Sequence, residues 1–229
     1  MKYLILLASA MAVHAESLHY VINWQSGLSL GEATLATSRE NWVVEGKEEA
    51  RWRFDLDIDA SVPGFAVKDT FMSTAAGMQL CSINLDKTVQ HGARKAEEII
   101  TFDQTEHMLT RETQPPGPGG GKSEAMTPPC ARDALSFLQF ARQELAQGRL
   151  ASQQPAFLGS GYNIRLESAG TAPVKKLGKP IDADKIRATI KGPASNYTVE
   201  VFFAKDDART PVMARIPLSL GTFTVELAH

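Results

Sequence analysis

Arg51-Trp52-Arg53-Phe54-Asp55-Leu56-Asp57-Ile58-Asp59 is the stretch that decides the fold. In an extended chain successive side chains point to opposite faces, so Trp52, Phe54, Leu56 and Ile58 share one face and the two Arg and three Asp the other. That is a strand with one dry and one wet face, the pattern of an antiparallel sheet covering a core. The same alternation holds through Leu18, Tyr20, Ile22 and Trp24, through Tyr162, Ile164 and Leu166, and through Tyr197, Val199, Val201 and Phe203. Runs at 28–35, 42–44, 65–71, 78–85, 95–102, 107–112, 186–191, 211–218 and 221–227 bring the expected total to about a dozen strands.

One segment follows a different period. In Cys130-Ala-Arg-Asp133-Ala-Leu-Ser-Phe-Leu-Gln-Phe-Ala-Arg-Gln-Glu-Leu-Ala-Gln-Gly148, residues Ala134, Leu135, Leu138, Ala141 and Leu145 recur at spacings of three and four, and Phe137 and Phe140 widen the stripe. Asp133 can accept from the free N–H groups of a first turn, and Gly148 can take the left-handed conformation that ends a helix. The spacing predicts one α-helix over about 131–147. A stripe that wide must pack on something, so the expected fold is mainly β: a strongly curved antiparallel sheet or open β-barrel with this helix against it. Gln114-Pro-Pro-Gly-Pro-Gly-Gly-Gly121 combines missing N–H donors with backbone freedom, which predicts a flexible loop over 114–129. The stretch 171–180 reads as a loop as well, and 16–229 as a single domain.

The charge balance excludes a broad basic field for nucleic acid: 24 Lys and Arg face 26 acids in 229 residues. The N-terminus starts with Lys2, continues in an apolar run and ends Val13-His14-Ala15, a secretory signal with small residues at the cleavage positions. Residues 1–15 are therefore expected to be removed, leaving Glu16 first and 23 basic against 26 acidic residues. The apolar run, about ten residues, is too short to span a bilayer, so no transmembrane anchor is expected.

The two cysteines, Cys81 and Cys130, read as a disulfide in an exported chain, closing a loop of roughly fifty residues and contributing about 3–4 kcal/mol. A metal pair or a reactive thiol competes with that reading, but no His cluster accompanies them.

Chemistry-bearing motifs are sparse. Asp55, Asp57 and Asp59 have the spacing of a calcium loop, yet Ala60 and Ala66 stand where such a loop needs Gly and an acid, so a solvated strand face is the better reading. His19, His91 and His107 fall in no ligand spacing, and Gly159-Ser160-Gly161 lacks the context of a nucleophile elbow. Asp206 with Asp207 fits a turn better than an acid/base pair, and Asn196-Tyr-Thr198 matches a glycosylation acceptor. No catalytic residue, metal ligand or cofactor site is expected, and the chain reads as a non-enzyme.

Three groups of residues together resemble a known family: Tyr20, Trp24, Gly31, Ala33 and Leu35; Asp133-Ala-Leu-Ser136-Phe with Leu145 and Gly148; and Asp206-Asp-x-Arg209-x-Pro211-Val212 with Gly221, Phe223 and Leu227. In this order they resemble the exported bacterial family called domain of unknown function 3108. Many of its members carry a Tyr-Tyr-x-x-Arg type helix, where this chain has Phe137-Leu-Gln-Phe140-Ala-Arg142. The resemblance implies a cell-envelope location, expected as the periplasm of a Gram-negative bacterium, and a fold similar to the open half-barrels of lipoprotein and lipopolysaccharide carriers. It implies no activity. The resulting expectation is a binding or carrier module for an apolar or amphipathic envelope ligand, with an envelope lipid or lipoprotein as partner. Two alternatives stay open: the helix and inward strand residues fill the concavity completely, or the protein is an assembly factor acting through the 114–129 segment or a strand edge.

Overall fold

The computed structural model describes residues 14–44, 47–62, 64–117, 120–150, 153–193, 195–218 and 221–228. The expected signal segment thus lies outside the described residues except for His14 and Ala15, and Glu16 lies inside the first strand. Eight strands precede the helix: β1 His14–Trp24, β2 Ser29–Val44, β3 Lys47–Val62, β4 Phe65–Ala76, β5 Cys81–His91, β6 Arg94–Asp103, β7 Met108–Gly117 and β8 Gly120–Met126. After α1, Ala134–Ala146, come β9 Gln154–Phe157, β10 Gly161–Lys176, β11 Lys179–Lys191, β12 Asn196–Ala204, β13 Pro211–Leu218 and β14 Gly221–Leu227.

All fourteen strands form one antiparallel sheet in the order β8-β7-β6-β5-β4-β3-β2-β1-β14-β13-β12-β11-β10-β9. Each strand pairs with its sequence neighbour, and β1 pairs with β14, matching Tyr20 to Leu227 and Trp24 to Phe223. The sheet is unclosed, with β8 and β9 as its edges, and these two flank α1 in sequence. A sheet this large curls rather than lying flat. Its inward residues, among them Leu18, Tyr20, Leu35, Trp52, Phe54 and Phe202, form one core cluster with Leu135 of the helix. A second cluster joins Phe137 and Ala141 to Ile164, Leu166, Ile186, Ala188, Ile190 and Phe203.

Several boundaries differ from the sequence expectation, among them the start of β5 at Cys81 rather than Met78 and a strand, β9, where none was expected. Stretches 28–35 and 42–44 belong to one sixteen-residue strand, β2. Its polar middle stays extended because β3 pairs with it throughout, setting Phe54 opposite Thr37 and Trp52 opposite Arg39. The segment 114–129, expected as a flexible loop, is mostly the hairpin of β7 and β8. Pro115 and Pro116 fit because the β6 ladder ends at Gln114 and the β8 ladder skips from Glu112 to Gly117, so no bond is asked of them. The stretch 171–180 is the end of the β10–β11 hairpin, reached through a bulge between Ser168 and Thr171 where Gly170 has φ +86°. The helix starts at Ala134 rather than 131, since Ala131 and Arg132 give their carbonyls to other strands: Ser82 N–H donates to Ala131 O at 2.9 Å and Phe157 N–H to Arg132 O at 2.7 Å.

Both ends of α1 are capped as expected. Asp133 accepts from the N–H groups of Leu135 and Ser136, and beyond the C-cap Gln147, Gly148 has φ +69° while Arg149 N–H donates to Glu144 O at 2.8 Å. Among the described residues no helix is long and apolar enough to cross a membrane.

Candidate functional site

Asp133 does more than cap. Its Oδ1 takes the two helix N–H groups at 2.8 and 3.2 Å, while Oδ2 accepts from Ser73 Oγ of β4 and Ser82 Oγ of β5, both at 2.6 Å. Ser82 Oγ in turn accepts from Asp133 N–H at 2.8 Å and lies 2.8 Å from Ser136 Oγ. All four side chains are fully buried. Such a network, with both carboxylate oxygens doubly hydrogen-bonded and no solvent contact, pins the helix start to the sheet. Next to it, Cys81 and Cys130 are joined by a disulfide, and Arg132 stacks over Phe140 at 3.9 Å while donating to Gln79 O at 2.8 Å. Burial holds the Arg132 guanidinium below its usual range, against the opposing pull of Glu144.

The pinned helix divides the concave side into two different spaces. On one flank Ala134, Phe137, Leu138, Ala141 and Leu145 face Ile164, Leu166, Ile186, Ala188, Ile190, Val199, Val201 and Phe203 of β10–β12 across an open groove of about 180 Å³, completed by Leu158. Every one of these residues is apolar. On the other flank Gln139, Arg142, Gln143 and Ala146 line a polar cavity of about 240 Å³ with Glu16, Thr37, Arg39, Trp52, Met78, Asp207 and Ala208. There Arg142, only 4% exposed, holds the Glu16 carboxylate with two bonds of 2.6 and 2.9 Å and donates to Gln139 Oε1 and Ala208 O. Tyr20 packs nearby, its hydroxyl donating to Pro211 O at 2.9 Å; burial pushes the phenol well above its usual range, with Arg142 opposing and Glu16 reinforcing.

A third space lies at the seam between the two sheet edges. It measures about 240 Å³ and is lined by Leu109 and Arg111 of β7, Ser123, Ala125 and Met126 of β8, and Ala156 and Phe157 of β9. The Arg111 guanidinium donates to Gly159 O and sits 5.5 Å from the Phe157 ring, spanning the seam with a side chain where no ladder closes it.

The structure brings together only one of the residue sets singled out from sequence, Cys81 with Cys130. Asp55, Asp57 and Asp59 lie along β3 and engage Arg53, Thr70 and Lys68 in turn, as a solvated strand face does. His19, His91 and His107 sit on β1, on β5 and in the turn before β7. Asp206 organises the turn before β13, accepting from Thr210 N–H at 2.9 Å and Thr210 Oγ1 at 2.8 Å. Gly159 and Ser160 lie in the β9–β10 turn, and Gly161 opens β10. The Glu16–Arg142 pair and the two buried serines of the sheet were missed. Arg142 carried a signal: it stands four residues after Leu138 and seven after Leu135, on the apolar stripe itself, where a charge demands a buried partner. Its partner lies 126 positions away and has no local mark.

No curated protein matches the sequence. Among solved structures, the crystal structure of a beta-barrel-like protein of domain of unknown function DUF1849 from Brucella abortus is similar with a TM-score of 0.57 over 94% of this chain and 95% of that one. At 8% identity the likeness is one of fold. The family described as protein of unknown function (DUF3108) matches residues 19–228, from the first strand to the residue after the last, and the chain belongs to that family.

Proposed function

We propose that this protein is an exported, non-catalytic binding module of the Gram-negative periplasm, and that the groove between α1 and β10–β12 takes one hydrocarbon group of an amphipathic envelope ligand. The observation that carries the reading is the groove itself: fourteen lining residues, all apolar, left open beside a helix whose position is fixed by buried bonds. An apolar space in water attracts apolar matter, and one of about 150 Å³ holds a benzene-sized group. The groove, at about 180 Å³, is below the 300–1,000 Å³ typical of whole small-molecule sites, so it suits a ring or the end of one chain rather than an entire lipid. The secretory signal pattern at 1–15 supports the compartment.

The test is native mass spectrometry of protein purified from its own periplasm, with an organic extract analysed for lipids. The expected result is a stoichiometric extra mass, recovered in the extract and lost in Ala188→Phe, which fills the groove. An apo mass that persists after incubation with envelope lipids would sink the reading. The second reading, an assembly factor, draws on the two sheet edges β8 and β9, since an edge can accept an added strand from a partner. A partner that is captured by wild type and lost on deletion of β8 would favour it.

A further inference from the structure

The polar cavity on the other flank of α1 holds hydrogen-bond donors that the protein leaves unused. Glu16 and Arg142 neutralise each other through their paired bonds, so neither seeks a further charge. Arg39 has no carboxylate partner among the described residues; its guanidinium lies over the Trp52 ring at 5.4 Å. Trp52 is 8% exposed, and its indole N–H is buried without an acceptor. The Gln139 amide gives its oxygen to Arg142, which leaves its NH₂ as a second donor lining the same cavity. Asp207 is the opposing charge; it and Arg39 are both exposed residues, so solvent screens each of them.

We propose that this cavity is an oxyanion site, taking a phosphate or carboxylate group with Arg39, stacked on the Trp52 ring, as the planar donor fork. Guanidinium is suited to this, since its N–H groups match the spacing of two oxygens on one phosphorus or carbon. Arg142 is a positioning residue: it ties Glu16 of β1 and the carbonyl of Ala208 to the helix and so sets the walls of the cavity. The oxyanion enters as a free ion or as the head group of an amphiphile; only the second source rests on the binding-module reading.

The experiment follows the indole N–H resonances of the ¹⁵N-labelled protein, which has three Trp, with Trp52 assigned by Trp52→Phe. The probes are inorganic phosphate, dodecyl phosphate below its micelle concentration, and uncharged dodecyl maltoside. The expected result is a shift of the Trp52 indole with a phosphate-bearing probe, and binding weakened roughly tenfold in Arg39→Gln, the loss expected for one charge-assisted contact. Response to dodecyl phosphate alone assigns the head-group source, and equal response to inorganic phosphate assigns a free anion. A Trp52 indole that neither phosphate probe moves, or equal affinity in Arg39→Gln, overturns the site. Dodecyl maltoside reads the apolar groove separately through the Ile190 and Val199 methyl resonances, so failure of the binding-module reading is distinguishable from failure of the oxyanion site.

Discussion

Asp206 shows how one side chain can be pulled in two directions. Burial raises its pKa, but the Lys176 ammonium at 2.6 Å and both donors of Thr210 outweigh burial and hold the carboxyl below the usual range. A carboxyl depressed on folding stabilises the native state above its unfolded value, near 4, and loses that contribution as pH falls through the folded value. The side chain keeps a third of its surface exposed, so the effect is about 1 kcal/mol or less after screening. Thermal melts of wild type and Asp206→Asn from pH 6 to pH 2 should therefore differ at pH 6, wild type being the more stable, and begin to converge only as the pH falls below about 4. A constant offset across that range would show that Asp206 acts only through its turn geometry.

At the scale of elements, the decisive junction is between α1 and the sheet. Apolar packing alone would let a helix slide or roll in a curved sheet, whereas the Asp133 bonds to Ser73 and Ser82 fix its start against β4 and β5. Removing the carboxylate would leave the Ser73 hydroxyl and two helix N–H groups buried without their acceptor, and the Ser82 hydroxyl with only Ser136 Oγ to turn to. We expect Asp133→Ala to cost about 3–5 kcal/mol in urea unfolding, far beyond the roughly 1 kcal/mol of an ordinary exposed N-cap. A loss of only about 1 kcal/mol would mean that the network reorganises around the gap.

At the scale of the whole molecule, the described residues form a meander that leaves its sheet once. Because β1 pairs with β14, the sheet is continuous through the two ends of the chain and is interrupted at the excursion through α1. The Cys81–Cys130 bond joins the start of β5 to the entry of that excursion, next to the carbonyls that bind Ser82 and Phe157. Replacing both cysteines by Ser should lower stability by about 3–4 kcal/mol from loop entropy. It should also speed hydrogen exchange at the Asp133 and Leu135 amides more than at β12. Equal exchange at both places would assign the bond a purely global role.

Much of this was legible in the sequence because the signals are local. The β3 alternation, the Asp133 and Gly148 caps and the paired cysteines each express a periodicity or a preference carried by a few neighbouring residues, and the family pattern adds their order. They determined a mainly β fold with one helix. What only the tertiary structure decided depends on residues apart in the chain: that β7 and β8 pair as a hairpin, that Ser73 and Ser82 converge on Asp133, and that Glu16 meets Arg142. The division of the interior into an apolar groove and a polar cavity belongs to the same class. Periodicity reports which side of an element is dry, whereas a cavity is the space that several elements together fail to fill, and no single element encodes that remainder.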